Sequence, residues 1–290
     1  MSSREWDAAS YHRISEPQLA WAREQLQRLE LSGDETLLDA GCGSGRVTAE
    51  LLELVPRGRV YAVDASQAMV DHARQTLDGR ATVLCQDLVK LELPEPVDAI
   101  FSNATFHWIH DHGALFAALA RNTKAGGQLV AQCGGLGNID SFRHAADAVA
   151  GEQRFASYFD DWQRPWNYAD APETAERLQR AGFHQVRCWL EPRPTTLADA
   201  RAFVSTVCLV RHLDPLPEQL REPFVERVLA QLDDSRAAQP DDSGAAQSGE
   251  AGSRAGGKPE GEAGSRAGGK REGEPLVLDY VRLNMTARLT

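Results

Sequence analysis

The chain has 290 residues, 42% of them apolar, which is length and composition enough for one large or two small packed domains. A formal net charge of −11 argues against a nucleic acid backbone or an anionic membrane as main partner, because both require a basic surface. Five cysteines without C-x-x-C or zinc spacing argue against a disulfide framework and a metal site. No apolar leader follows Met1 and no run approaches the length of a membrane span, so the chain reads as cytoplasmic.

In chain order, 17–29 carries Leu19, Trp21, Ala22, Leu26 and Leu29 at helical spacing and predicts a helix packed on a sheet. Leu37-Leu38-Asp39-Ala40-Gly41-Cys42-Gly43-Ser44-Gly45 then runs from an apolar pair through an acid into three alternating glycines, with 47–52 helical behind them. Glycines suit a turn that needs positive φ or lets a ligand lie on bare peptide, and the following helix offers unpaired N–H groups. A dinucleotide fingerprint is not met, since Arg46 stands where its third glycine belongs and Gly45 comes one residue early. Nor is a phosphate loop, because no Gly-Lys-Ser/Thr follows. An acid at Asp39 would repel a pyrophosphate and suits a cationic, amino-acid-like ligand.

Further strands end in further acids. Residues 59–64 end at Asp64, whose carboxylate can accept both hydroxyls of a ribose. Ala65 follows it, Ser66 is a candidate N-cap, and Met69, Val70, Ala73 and Leu77 form one helical face, with Met69 placed to serve the core and to meet a flat ring as well. Residues 82–88 give a third strand with Asp87 and Leu88 at its end, and 97–103 a fourth ending at Asn103. The glycine loop with three strand-end acids resembles the class I S-adenosylmethionine-dependent methyltransferases. That resemblance implies a Rossmann-like α/β fold, a seven-stranded doubly wound sheet whose last strand is antiparallel, and S-adenosyl-L-methionine as cofactor. It places the cofactor against Asp39, Ala40, Gly41, Gly43, Gly45, Asp64, Ala65, Met69, Asp87, Leu88 and Asn103. It makes Tyr11, ahead of the first helix, a candidate lid over the cofactor.

The segment after the fourth strand packs Phe106, His107, Trp108 and His110 together at the edge where open α/β sheets keep their binding crevice. Its Asn-x-x-x-His-Trp pattern resembles the trans-aconitate methyltransferase branch, which makes His107 a candidate acceptor contact while Trp108 reads as packing. A helix over 115–119, a glycine turn at 124–127 and a strand over 128–133 follow.

From 134 to 181 the periodicity loosens and aromatics crowd around Arg154 and Arg164, which suggests a cap-like insertion in which Arg164, beside Trp166, pairs with an anionic acceptor. A helix over 170–180, a strand over 185–190 and amphipathic helices over 197–209 and 218–232 come next, with Arg211 and His212 near a helix end. Residues 235–274 are rich in Gly, Ser and Ala, and a twelve-residue unit starting at Gly249 recurs from Gly261. That composition predicts a disordered repeat loop inserted into a domain formed by 1–234 and 275–290, with 275–289 as one long final strand.

No pair or triad reads as a general base. A carboxylate acceptor needs none, so O-methylation of a carboxylate on a small molecule is the expected reaction. A phenol, amine or carbon acceptor, or a non-catalytic cofactor-binding module, are the alternatives.

Overall fold

The computed structural model describes residues 16–197, 199–237 and 275–290. Strands β1 (Thr36–Ala40), β2 (Arg59–Asp64), β3 (Thr82–Cys85), β4 (Val97–Asn103), β5 (Thr123–Gly134) and β6 (Phe183–Pro192) precede a short pair, β7 (Thr195–Thr196) and β8 (Val277–Leu278), and a final strand β9 (Val281–Leu289). The main sheet has the order β3-β2-β1-β4-β5-β9-β6, with β9 antiparallel between β5 and β6 as expected. All five residues of β1 are buried, as befits a parallel strand covered on both faces.

Helices α1 (Glu16–Leu26), α2 (Arg46–Leu54), α3 (Gln67–Leu77), α4 (His112–Arg121), α5 (Asp140–Ala150), α6 (Ala171–Arg180), α7 (Ala200–Phe203) and α8 (Glu218–Ala237) accompany the sheet. Successive strand residues point to opposite faces, so Leu37 packs with Ala22, Leu26 and Leu51 from α1 and α2, whereas Leu38 packs with Leu115, Phe116 and Leu178 from α4 and α6. A separate apolar cluster joins Phe142 of α5, Phe203 and Val204, and Phe224 and Val228 of α8. This second core draws on the insertion expected as a cap and on the segments of α7 and α8.

Three expectations need correction. The insertion after β5 contains a regular helix, α5, whose Phe142, Ala145, Ala146 and Val149 are buried at helical spacing. The final segment is two strands: at the break Asp279 accepts the Ser141 N–H (3.0 Å) and hydroxyl (2.6 Å), and Tyr280 packs edge-on against Trp21 at 5.2 Å. β8 therefore leaves the main sheet and pairs with β7. The proposed helix over 197–209 shrinks to α7, which Asp199 caps through the Ala202 N–H, followed by a π-turn at Val204–Cys208. The expected disordered repeat lies outside the described residues except for 235–237, which continue α8. No described helix is long and apolar enough to cross a membrane.

Candidate active site

Strand β1 lies between β2 and β4, the point at which the chain order reverses and an open α/β sheet leaves a crevice at its strand ends. A cavity of ≈ 1470 Å³ occupies that crevice. Asp39, Asp64 and Asp87, at the ends of three adjacent strands, all line it.

The three glycines do three different jobs. At Gly41 φ is +87°, and a Cβ there would lie 2.1 Å from the Thr105 hydroxyl oxygen. Thr105 in turn donates to the Gly41 carbonyl at 3.2 Å, so this glycine lets the segment after β4 close against the loop. At Gly43 φ is +53° and a Cβ would meet nothing within 4 Å, so bare peptide faces the open cavity. Gly45, with φ +84°, is the N-cap of α2 and sits against Leu77.

The carboxylates differ as well. Asp64 accepts the Gly43 N–H at 3.0 Å with one oxygen and the Ser66 N–H at 2.9 Å with the other, which ties the loop to the tip of β2. Burial pushes its pKa up despite those bonds. Asp39 is buried, and the Thr48 hydroxyl donates to it at 2.6 Å. Burial raises its pKa from 3.8 to about 7, the Thr48 bond works against the shift, and the charge of Asp64 adds to it. Asp87 is exposed and accepts the Val89 N–H at 3.1 Å, capping a single 3-10 turn.

These residues fit the cofactor that the sequence implies. Open peptide at Gly43 leaves room for a ligand backbone, the carboxylates suit a cation and a ribose, and Met69 and Leu88 offer apolar surface to a flat ring. Ala65 and Asn103 also line the cavity. Ala40 and Gly45 do not line it: Ala40 is buried, its carbonyl taking the Ser102 hydroxyl at 2.7 Å.

The acceptor side departs from the sequence reading. His107 is buried, and its Nδ1 accepts the Gly134 N–H at 3.3 Å. Its ring lies against Trp108 (5.1 Å) and Tyr168 (5.8 Å), on a separate small cavity of ≈ 50 Å³. Burial first, then the charges of Arg282 and His112, hold its pKa well below the ordinary histidine range, so it is a neutral acceptor already in use. The next residues, Trp108, Ile109 and His110, line the large cavity instead.

Arg164 is also misplaced for its expected role. Its guanidinium is exposed and donates to Asp147 at 2.7 Å, outside the cavity wall, and that partner raises its pKa. Arg211 and Arg221 stand in the wall. Arg211 is 3.4 Å from Asp214, whereas the Arg221 Nε–H donates to the Leu216 carbonyl at 3.1 Å and no described acid lies within ion-pair distance of it. Sequence reasoning passed over Arg221 because a cation on an amphipathic helix carries no local mark of its target. Tyr11, the candidate lid, lies outside the described residues.

Known proteins resemble this chain in sequence and in fold. Residues 38–131 match the family model described as a methyltransferase domain. A trans-aconitate 2-methyltransferase of Methylobacterium nodulans is 29% identical over 246 residues, covering 80% of this chain and 90% of that protein. A malonyl-[acyl-carrier protein] O-methyltransferase of Anoxybacillus flavithermus is 36% identical over 124 residues, covering 42% of this chain and 48% of that protein. Among solved structures, Haemonchus contortus phosphoethanolamine N-methyltransferase 2, in complex with S-adenosyl-L-methionine, superimposes with TM-score 0.54 at 16% identity, covering 98% of this chain and 56% of that one.

Proposed function

Since the chain is a class I S-adenosylmethionine-dependent methyltransferase, we propose that it transfers the methyl group to a carboxylate oxygen of a small anionic acceptor. The observation that carries this reading is Arg221, with Arg211, in the wall of the same cavity that holds Gly43 and Asp64. A guanidinium without an acid partner at a cavity wall is a seat for a carboxylate, which it can take through two parallel hydrogen bonds. Two relatives are named for acceptors that carry carboxylates, trans-aconitate and a malonyl group, which supports the assignment.

Bound S-adenosylmethionine supplies a methyl group on a sulfonium, a leaving group that requires no proton. Within the protein, the Asp64 carboxylate keeps free lone pairs beside its two backbone bonds and orients the ribose. The Gly43 peptide would hold the amino-acid end of the cofactor, with Asp39 behind it. Arg221, beside the Arg211–Asp214 pair, would hold the acceptor carboxylate and orient one oxygen toward the cofactor, and this alignment is the main catalytic contribution of the chain. No base is engaged, because a carboxylate is already ionised at neutral pH.

A second reading has one observation behind it. His110 is exposed in the cavity wall, where it is available to take a proton from a phenol or an amine. Incubation with S-adenosylmethionine carrying a labelled methyl, against mixed carboxylic acids, phenols and amines, separates the two. Label that mild base releases as methanol is expected; label confined to base-stable products would sink the carboxylate reading.

A further inference from the structure

We infer that the acceptor is an amphipathic monocarboxylate, a single anionic head on a flat or extended apolar body, and not a compact polyanion. This rests on the carboxylate reading above and adds the class of acid.

Size comes first. A site for one drug-sized ligand is about 300–1,000 Å³. The cavity, at ≈ 1470 Å³, exceeds that range, so beyond a cofactor of nucleoside type it has room for a second body of comparable bulk. A six-carbon tri-acid would leave much of that space to water.

Charge comes second. On the acceptor side the wall carries Arg211 and Arg221, and it also carries Asp111 and Asp214. Two cations against two carboxylates give this wall no net positive charge. Arg211 already lies beside Asp214, which leaves Arg221 as the guanidinium without a described acid partner. One such group matches one carboxylate; the remaining carboxylates of a polyanion would meet the paired Arg211 and face Asp111 at a cost in repulsion.

The apolar surface comes third. Trp108, Ile109, Trp162, Pro165 and Pro215 line the same end. Its rings are braced from behind: Trp162 lies 4.5 Å from His212 and 5.4 Å from Phe159, and Trp108 lies 6.1 Å from Trp166, which stacks on Tyr168. Aromatic walls held in place cost little ordering on binding and repay an apolar body laid against them.

The test compares wild-type enzyme on 3-phenylpropanoate and octanoate with the same enzyme on trans-aconitate and citrate, following base-labile label from S-adenosylmethionine. The expected result is a kcat/KM at least tenfold higher for the amphipathic pair. Trp162→Leu and Trp162→Ala should raise KM progressively for that pair, by tenfold or more in the alanine variant, with less than a threefold change for trans-aconitate. Equal or faster esterification of trans-aconitate or citrate overturns the inference and leaves the carboxylate reading standing. Label appearing only on base-stable products, or on no acid while S-adenosylhomocysteine still binds, overturns both.

Discussion

At the glycine-loop end of the cavity, the groups that face a ligand are peptide units and carboxylates at the tips of adjacent strands. At the cap end they are long side chains on turns and on the first residues of α8. The first end inherits its geometry from the sheet: Asp39 pairs with Ala62, and Asp64 with Cys85, in continuous parallel register. The second inherits its geometry from a small core of rings, in which Trp162 and Phe224 pack on His212, Phe159 packs on both of them, and Phe155 packs on Phe224. A backbone-built site leaves little freedom in what it accepts, whereas a side-chain-built wall can be re-specified by single substitutions without disturbing the sheet.

The largest effect that sharpens this contrast is at the glycine loop. Gly41→Ala must keep a positive φ and place a methyl group against Thr105, two penalties of roughly 1–2 and 1–3 kcal/mol. Urea unfolding should show a loss of about 3 kcal/mol, and Thr105→Gly in the same chain should return part of it by vacating the space. Gly43→Ala meets no atom within 4 Å, so it should cost only about 1 kcal/mol in stability while weakening S-adenosylhomocysteine binding at least tenfold in calorimetry. Equal stability losses at the two glycines would refute the division of labour drawn between them.

A smaller effect breaks the cap end apart. Arg221→Ala should raise KM for the carboxylate acceptor at least tenfold, about 1.4 kcal/mol, because a charged hydrogen bond to the head group is lost. Arg164→Ala removes only an exposed pair with Asp147 and should change KM by less than threefold. Steady-state kinetics on the two variants that returned the reverse order would move the anion seat from α8 to the insertion.

The same contrast explains what could be read from the sequence. Asp39, Asp64 and Asp87 were legible because strand ends of a parallel sheet meet at one edge, so residues far apart in the chain are brought to one cavity by a pattern that local periodicity reveals. The glycines were legible too, although Gly41 turns out to serve Thr105. Helix α5 carried a signal, buried positions at Phe142, Ala145, Ala146 and Val149, muted by small residues that weigh little in an apolar pattern. His107 was singled out by the Asn-x-x-x-His-Trp pattern and Arg164 by its neighbour Trp166, yet adjacent residues on a 3-10 turn or an extended loop point in different directions. Trp108 reaches the cavity and His107 turns to Gly134. The position of Arg221 depends on the π-turn at Val204–Cys208 and on the packing of Phe224 against Phe155, neither of which has a local signature.

The smallest net effect tests whether the two ends titrate in opposite senses. Asp39 is an acid whose folded pKa is raised from 3.8 to about 7, chiefly by burial, so its contribution is fully present below 3.8 and is lost as pH rises toward 7. His212 is a base whose folded pKa is lowered from 6.5 to about 4, again by burial first, with Asp147 opposing the shift and Arg164 adding to it. Its protonation favours the unfolded chain, so its contribution is present above 6.5 and is lost as pH falls toward 4. Between pH 5 and 7 each group changes stability by on the order of 2 kcal/mol, and the signs oppose. His107 and His112, whose pKa values burial also lowers, act in the same sense as His212, so each variant is read as a change from the wild-type slope of urea stability against pH in the cofactor-free protein. Asp39→Asn removes the contribution at the glycine loop and should make that slope between pH 5 and 7 more positive than in the wild type. His212→Phe removes the cap contribution while keeping a ring among Phe142, Trp162 and Phe224, and should make the slope less positive over the same interval. Two variants that shift the slope the same way would show that one of these groups exchanges protons with solvent in the folded state at its ordinary pKa, and would remove it from the buried set on which the comparison rests.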